Sequence, residues 1–251
     1  NSSVAYIMFT SGTTGTPKGV SITHHAAVNT LQDCQARWDI GHGDRLFGVS
    51  EFSFDLSVFD LFMPALSGCA LVLAQEGREA DPQGWVALAR EHRVTVWNSV
   101  PAIMEMLLDY AQAMALGAPA PSVRLWMASG DWIGLGLPGR LRQCAPQSRF
   151  IALGGATEAA IWSNSFEVHA VDPAWPSIPY GRPLANQRFY ILDALGRCCP
   201  PAVKGMLFIA GQGLATGYVQ DQPRTDQVFT LHSGLGQRLY RTGDLGRLRM
   251  D

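Results

Sequence analysis

Short, almost purely apolar runs recur along the first two thirds of the chain, with helical periodicity between them. The runs at Ala5–Phe9, Arg45–Val49, Ala70–Leu73, Val94–Trp97, Arg124–Met127 and Arg149–Ala152 predict strands. A strand that is apolar on both faces must be covered on both, and a parallel sheet flanked by helices provides that cover. Helices are predicted from behind Thr23 through Gln35 and from Pro101 through Met114. Another is predicted after Asp81-Pro82, a capping aspartate followed by proline at the first helical position. The pattern therefore predicts an α/β fold, a doubly wound, mostly parallel sheet with helices on both faces. From about Pro173 proline and glycine become frequent, and Arg188–Leu192, Met206–Ile209 and Arg238–Tyr240 read as strands between turns. On this reading residues 1–170 form the α/β core and 171–251 a smaller β-rich subdomain.

At 251 residues, 47% hydrophobic and 16% charged, the chain can bury a substantial core. Its formal net charge of −2 leaves no electrostatic footprint for nucleic acid or an anionic membrane, so neither is expected as a partner. No apolar stretch reaches the roughly 18–20 residues of a membrane span, and the N-terminus lacks a signal-peptide layout. Cys34, Cys69, Cys144, Cys198 and Cys199 follow no C-x-x-C spacing, which predicts reduced thiols in a cytoplasmic protein. The vicinal Cys198-Cys199 precedes Pro200-Pro201 and reads as a turn. Lys18 and Lys204 are the only lysines.

The scarcity of lysine makes the segment Tyr6-Ile-Met-Phe-Thr10-Ser11-Gly12-Thr13-Thr14-Gly15-Thr-Pro-Lys18-Gly19 stand out. An apolar run empties into a loop of hydroxyl residues and glycines that ends on a cation. Glycines let backbone N–H groups turn toward an anion, the hydroxyls add neutral donors, and Lys18 adds charge. Such a loop suits a polyphosphate. It is not a Walker A loop, because Gly12 lacks the G-x-x-x-x-G-K-[ST] spacing. Taken alone, it also reads as a flexible Ser/Thr/Gly linker.

It does not stand alone. Phe54-Asp55-Leu56-Ser57, Leu153-Gly154-Gly155-Ala156-Thr157-Glu158, Gly205–Gly211 through Gly217-Tyr218, and Tyr240-Arg-Thr-Gly-Asp244-Leu245 follow it in order. Together these segments resemble the motifs of the adenylate-forming superfamily, which includes acyl-CoA ligases and the adenylation domains of nonribosomal peptide synthetases. That resemblance implies ATP and Mg²⁺ as cofactors. Thr10 to Lys18, including Ser11, Gly12, Thr13, Thr14 and Gly15, would hold the β- and γ-phosphates. Thr157, behind Gly155, would donate to the α-phosphate, and Glu158 would bind Mg²⁺. Asp244 would accept from the ribose hydroxyls, and Gly130 and Asp131 would lie along the adenine. Thr10, Lys18, Thr157 and Glu158 are the implied catalytic residues. A bare Thr-Glu pair also reads as a helix cap, and a bare Thr-Gly-Asp as a turn. The family usually places an aromatic residue for adenine stacking where this chain has Gly154. Either another ring, with Tyr180 the candidate, takes that role or adenine binding is weaker.

Asp55 stands where amino-acid-activating members place an aspartate for the substrate's ammonium. A carboxylate at the base of an apolar pocket is costly unless a cation pairs with it. The alternative is an N-cap for a helix over Leu56–Leu66. Carried over one by one, the pocket positions are Asp55, Leu56, Phe59, Asn98, Met127, Ser129, Leu153, Ile161 and Trp162. They describe a small, mostly apolar cavity and resemble cysteine-activating adenylation domains of thiazoline siderophore synthetases, with Met127 in place of the more usual leucine. Physics alone separates cysteine from alanine or serine by only about 1–3 kcal/mol. The implied product is cysteinyl-AMP, loaded onto the phosphopantetheine of a peptidyl carrier domain among neighbouring synthetase domains. An acid–CoA ligase and a catalytically silent nucleotide-binding fragment are the rival readings. The resemblance further implies that an α/β layer normally precedes the phosphate loop and that a C-terminal subdomain bearing a catalytic lysine normally follows Asp244. Neither is expected in this sequence.

Overall fold

The structure is a computed structural model and describes residues 2–10, 17–74 and 80–249. The chain opens with strands β1 (Val4–Thr10) and β2 (Lys18–Thr23) and helix α1 (His24–Trp38). There follow β3 (Arg45–Gly48), α2 (Leu56–Ser67), β4 (Ala70–Leu73), α3 (Pro82–Glu91), β5 (Val96–Ser99) and α4 (Pro101–Ala113). Next come β6 (Leu125–Ala128), α5 (Leu137–Cys144), β7 (Arg149–Gly154), a 3-10 turn over Thr157–Ala159, β8 (Asn164–Glu167) and β9 (Arg182–Pro183). The remainder is β10 (Gln187–Leu192), β11 (Gly205–Gly211), β12 (Gly217–Tyr218), α6 (Gln222–Val228), β13 (Phe229–His232) and β14 (Gln237–Gly246).

The chain forms two compact units. The α/β unit comprises 31–154 and 164–182, and the β unit comprises 1–30, 155–163 and 183–251. The sequence reading draws one boundary near residue 170, whereas the observed units interleave. Hydrogen bonds tie the short 155–163 segment to the β unit. Thr30 Oγ1 donates to Ala160 O (3.0 Å), Ala215 N to Glu158 O (2.8 Å) and Gln187 Nε2 to Trp162 O (3.0 Å).

The α/β unit is built on a seven-stranded sheet of order β4-β3-β5-β6-β7-β8-β9. Its pairs are parallel from β4 through β7, and β8 runs antiparallel to β7. Phe47, Trp97 and Trp126 are register neighbours on one face, with ring centroids 4.5 and 5.5 Å apart. Trp85, Met104, Leu107, Leu137 and Leu141, from α3, α4 and α5, complete that core. Side chains alternate across a strand, so Gly48, Asn98, Met127 and Leu153 occupy the opposite face. α2 packs there, since Asp60 reaches Asn98. At the N-terminal ends of the strands Arg124 grips Asp44 through Nε (2.8 Å) and Nη2 (2.7 Å), and Thr95 Oγ1 adds a third bond (2.8 Å).

The β unit holds two antiparallel sheets, β1-β2-β12 and β10-β11-β14-β13. Their shared core includes Val20, Ile22, Ile209, Ala215, Tyr218, Phe229 and Tyr240. Here one expectation fails. The Ala5–Phe9 run is a strand, but it pairs antiparallel with β2 instead of joining the parallel sheet. Val4, Ile7 and Phe9 are 49%, 45% and 66% exposed, so this apolar run is not covered on both faces within the β unit. Among the described residues, no helix is long and apolar enough to cross a membrane, and all five cysteines are free.

Candidate functional site

The β unit gathers ionisable side chains from four distant segments. Lys18 begins β2 opposite Thr10, where the phosphate-loop candidate re-enters the sheet. Its Nζ donates to Glu158 Oε1 and to the Tyr218 hydroxyl, both at 3.0 Å, and lies 4.7 Å from the Tyr218 ring centroid. The Tyr218 hydroxyl donates in turn to Glu158 Oε1 at 2.7 Å. Tyr240, from β14, reaches the same centre, where Glu158 and Tyr218 act on its hydroxyl. Glu158 is only 5% exposed. Burial pulls the Lys18 ammonium down, but the Tyr218 hydrogen bond and the Glu158 charge outweigh it and hold Lys18 above the ordinary lysine value. Both tyrosines are pushed up, chiefly by burial.

The neighbouring residues explain how this centre is held. Gly155 has φ +152°, and a Cβ there would fall 2.7 Å from Ser163 N, so only glycine fits the turn into Thr157-Glu158. The helix-cap reading of Thr157 does not hold. The residue before the turn is Ala156, and no side chain caps it. Ala160 and Ile161 follow in left-handed conformation (φ 56° and 70°), unusual for a β-branched residue, and the Thr30 bond to Ala160 O fixes them. Ile161 and Trp162 are consequently buried in the β unit. Thr10 Oγ1 is buried without a hydrogen-bond partner among the described residues. Asp244 is exposed in β14, where the pairing shifts register and Thr242-Gly243-Asp244 bulge out. Its N–H is held by Thr242 Oγ1 at 3.0 Å. Ser11, Gly12, Thr13, Thr14 and Gly15 lie outside the described residues.

The α/β unit gathers most of the predicted acyl-pocket set. Asp55 immediately precedes α2 and is 6% exposed, yet its side chain makes no capping hydrogen bond to the helix. Leu56 and Phe59, from the first turns of α2, are buried, as are Asn98, Met127, Ser129 and Leu153. Sequence reasoning missed Asp60. It is 3% exposed, and its Oδ1 accepts from Asn98 Nδ2 at 2.9 Å. Burial pushes its pKa up to about 7 against the opposing bonds from Asn98 and Ser50. Asp60 Oδ2 and Asn98 Oδ1 have no partner among the described residues. The adjoining Val58-Phe59-Asp60 was legible only as a helix face, which hid the carboxyl.

Gly130 has φ +83°, and a Cβ there would meet the Phe54 ring at 3.1 Å. Asp131 beside it is exposed. At Gly154, a Cβ would fall 2.7 Å from the Tyr180 ring. Tyr180 therefore occupies the space that a side chain at position 154 would need. Its backbone is held locally, since Asn164 Nδ2 donates to the Tyr180 carbonyl, and the residue is 43% exposed.

Comparison with known proteins gives this geometry a context. The AMP-binding enzyme family matches residues 1–219. The chain is 50% identical over 242 residues to the anguibactin system regulator of Vibrio anguillarum, covering 96% of this chain and 23% of that protein. It is 47% identical over 249 residues to pyochelin synthetase PchF of Pseudomonas aeruginosa, covering 99% and 14%. The chain thus spans about a quarter or less of these curated relatives. Crystal structures of the nonribosomal peptide synthetase FmoA3 superpose with a TM-score of 0.94 in the AMPPNP-bound form, at 42% identity over 99% of this chain and 26% of that one. The α-methyl-L-serine-AMP-bound form gives 0.93, at 43% identity over 98% and 28%. By its sequence, its fold and its relatives, the chain belongs to the AMP-binding enzyme family.

Proposed function

We propose that this chain is the ATP- and amino-acid-binding core of an adenylation domain in a nonribosomal peptide synthetase. Its substrate is L-cysteine, and cysteinyl-AMP then passes to the phosphopantetheine thiol of a peptidyl carrier domain. The observation that carries the reading is the convergence of Lys18 and Glu158, 140 residues apart, on one buried hydrogen-bonded centre. The pyochelin synthetases among the relatives support a role in siderophore assembly. A cytoplasmic location fits such an enzyme.

In the reaction a carboxylate oxygen bonds to the α-phosphorus of ATP, and pyrophosphate leaves with the electron pair of the broken P–O bond. The nucleophile is already ionised, so no general base is required. The protein's work is to bring anions together and offset their charge. On the β unit, Lys18 is assigned to the β- and γ-phosphates together with Thr10, Ser11, Gly12, Thr13, Thr14 and Gly15. Thr157, positioned by the Gly155 turn, is assigned to the α-phosphate, and Asp244 on its bulge to the ribose. Glu158 fits Mg²⁺, since it is a buried carboxylate that already carries a cation, the Lys18 ammonium. Among the described residues no cluster of three or more His, Cys, Asp or Glu would hold a metal by itself. Mg²⁺ commonly takes one or two carboxylates and completes its shell with phosphate oxygens and water. Bound there, it would offset phosphate charge.

On the α/β unit, Gly130, Asp131 and the Tyr180 ring are assigned to adenine. Asp55, buried and not used as a helix cap, is assigned to the substrate ammonium. Leu56, Phe59, Asn98, Met127, Ser129 and Leu153 are assigned to a small side chain. The crystallised α-methyl-L-serine-AMP complex of FmoA3 supports a small substrate of this size. Amino-acid-dependent ATP–pyrophosphate exchange tests the reading. Exchange driven by cysteine well above serine and alanine is expected. Exchange with fatty or aryl acids but no amino acid would overturn it.

A further inference from the structure

Among the described residues the Tyr218 hydroxyl bonds to both Lys18 and Glu158, and several contacts fix its position. The Tyr218 N–H donates to Thr225 Oγ1 at 2.9 Å. Gly217 before it has φ +151°, and a Cβ there would lie 2.5 Å from Thr225 Cγ2, so the backbone is clamped against α6. β12 pairs with β2, placing Tyr218 opposite Val20, near Lys18 along the same strand. The ring packs edge-on against Phe229 at 6.1 Å, and the residue is 6% exposed. A phenol has a single proton to donate. Here it goes to Glu158 Oε1, and a lone pair accepts from the Lys18 ammonium. The direction of both bonds is thereby set.

We propose that Tyr218 is a positioning residue of the ATP site, holding Glu158 by donation and parking Lys18 beside it until a triphosphate arrives. This rests on the adenylating function proposed above. In the ligand-free protein the ammonium serves as the cation of Glu158. When Lys18 moves to phosphate, the Tyr218 hydroxyl stays on Glu158 Oε1, so the buried carboxylate keeps a donor and its orientation. Tyr240 stands beside Glu158 and Tyr218, but among the described residues the hydrogen bonds of Lys18 Nζ go to Glu158 and Tyr218 and not to it. It is therefore the natural control.

The two lysines make this measurable without turnover. Lys204 is exposed and provides an internal reference for Lys18. An amine-acylating reagent, followed by mass spectrometry of the ligand-free protein, reads the ratio of their rates. Tyr218→Phe keeps the ring and removes only the hydroxyl. It should raise the Lys18 to Lys204 ratio by about tenfold, the effect of losing one hydrogen bond to a charged group. Tyr240→Phe should leave the ratio unchanged. Calorimetry with Mg·AMPPNP should show binding by the parent protein, weakened about tenfold in Tyr218→Phe. An unweakened affinity or an unchanged ratio in Tyr218→Phe, or equal rises in both variants, overturns the role of Tyr218 while leaving the ATP site intact. A parent protein that does not bind Mg·AMPPNP overturns the adenylating reading itself, whatever Lys18 does.

Discussion

Glu158 in the β unit and Asp60 in the α/β unit are both almost wholly buried carboxyls, and the fold treats them in opposite ways. Glu158 sits 3.0 Å from an ammonium and accepts a 2.7 Å bond from Tyr218. Asp60 has no ion pair among the described residues. Its Oδ1 accepts from the Asn98 amide, and burial drives its pKa to about 7. Equal burial thus gives different chemistry, because the partner decides whether charge is tolerated. The β unit keeps a charged pair, Lys18 with Glu158. The α/β unit keeps a polar pair beside the apolar side chains proposed to bound the substrate.

The comparison can be broken at its charged end first. Glu158→Gln keeps the shape of the side chain and removes its charge, so pyrophosphate exchange should fall on the order of 1000-fold with the melting temperature little changed. A loss below about tenfold would remove Glu158 from the centre of the chemistry. Next in size is Asp55→Ala, expected to lower amino-acid-dependent exchange about 100-fold while ATP affinity measured by calorimetry holds steady. Equal loss of both would make Asp55 structural. Tyr180→Ala should weaken AMPPNP binding about tenfold, the scale of one base–aromatic stack, and Tyr180→Phe should not. If both variants bind equally well, the ring beside Gly154 is packing alone.

The last test concerns the other end, the carboxyl at Asp60, and is read in stability rather than in activity. A carboxyl whose pKa is raised on folding binds its proton more tightly in the folded state. Its stabilising share is therefore present below the ordinary carboxylate range and lost as pH rises from there to about 7. Asp60→Asn stays uncharged and keeps an acceptor for Asn98. Its stability relative to the parent should grow across that window, by on the order of 4 kcal/mol at pH 8, and show no gain below pH 4. Thermal melts at both pH values check this, and a gap independent of pH would contradict it.

Much of this was legible in the sequence because it depends on local chemistry. The apolar runs marked the parallel strands, and Asp81 does cap α3, accepting from Gly84 N at 3.1 Å. The same signal at Asp221, which accepts from Arg224 N at 3.1 Å, went unread because α6 is so short. Partnership was harder to read. Nothing local says that Ala5–Phe9 pairs with β2, or that 155–163 belongs with the β unit, because those choices are made by long-range hydrogen bonds. Tyr218 and Tyr240 were visible as motif letters, but their roles emerge only where four strand and turn segments meet. Asp60 was invisible for a similar reason, since its acceptor role depends on a strand 38 residues away. The loop of hydroxyls and glycines ahead of Lys18 was read from its residue types and its family resemblance, and most of it lies outside the described residues.

Calorimetric titration with a non-hydrolysable cysteinyl-adenylate analogue, and with the alanyl analogue beside it, tests the central claim most directly, since it requires no catalysis. The account predicts tight binding of the cysteinyl analogue and at least about tenfold weaker binding of the alanyl one. A folded protein that binds neither would contradict the assignment of an aminoacyl-adenylate site to this chain.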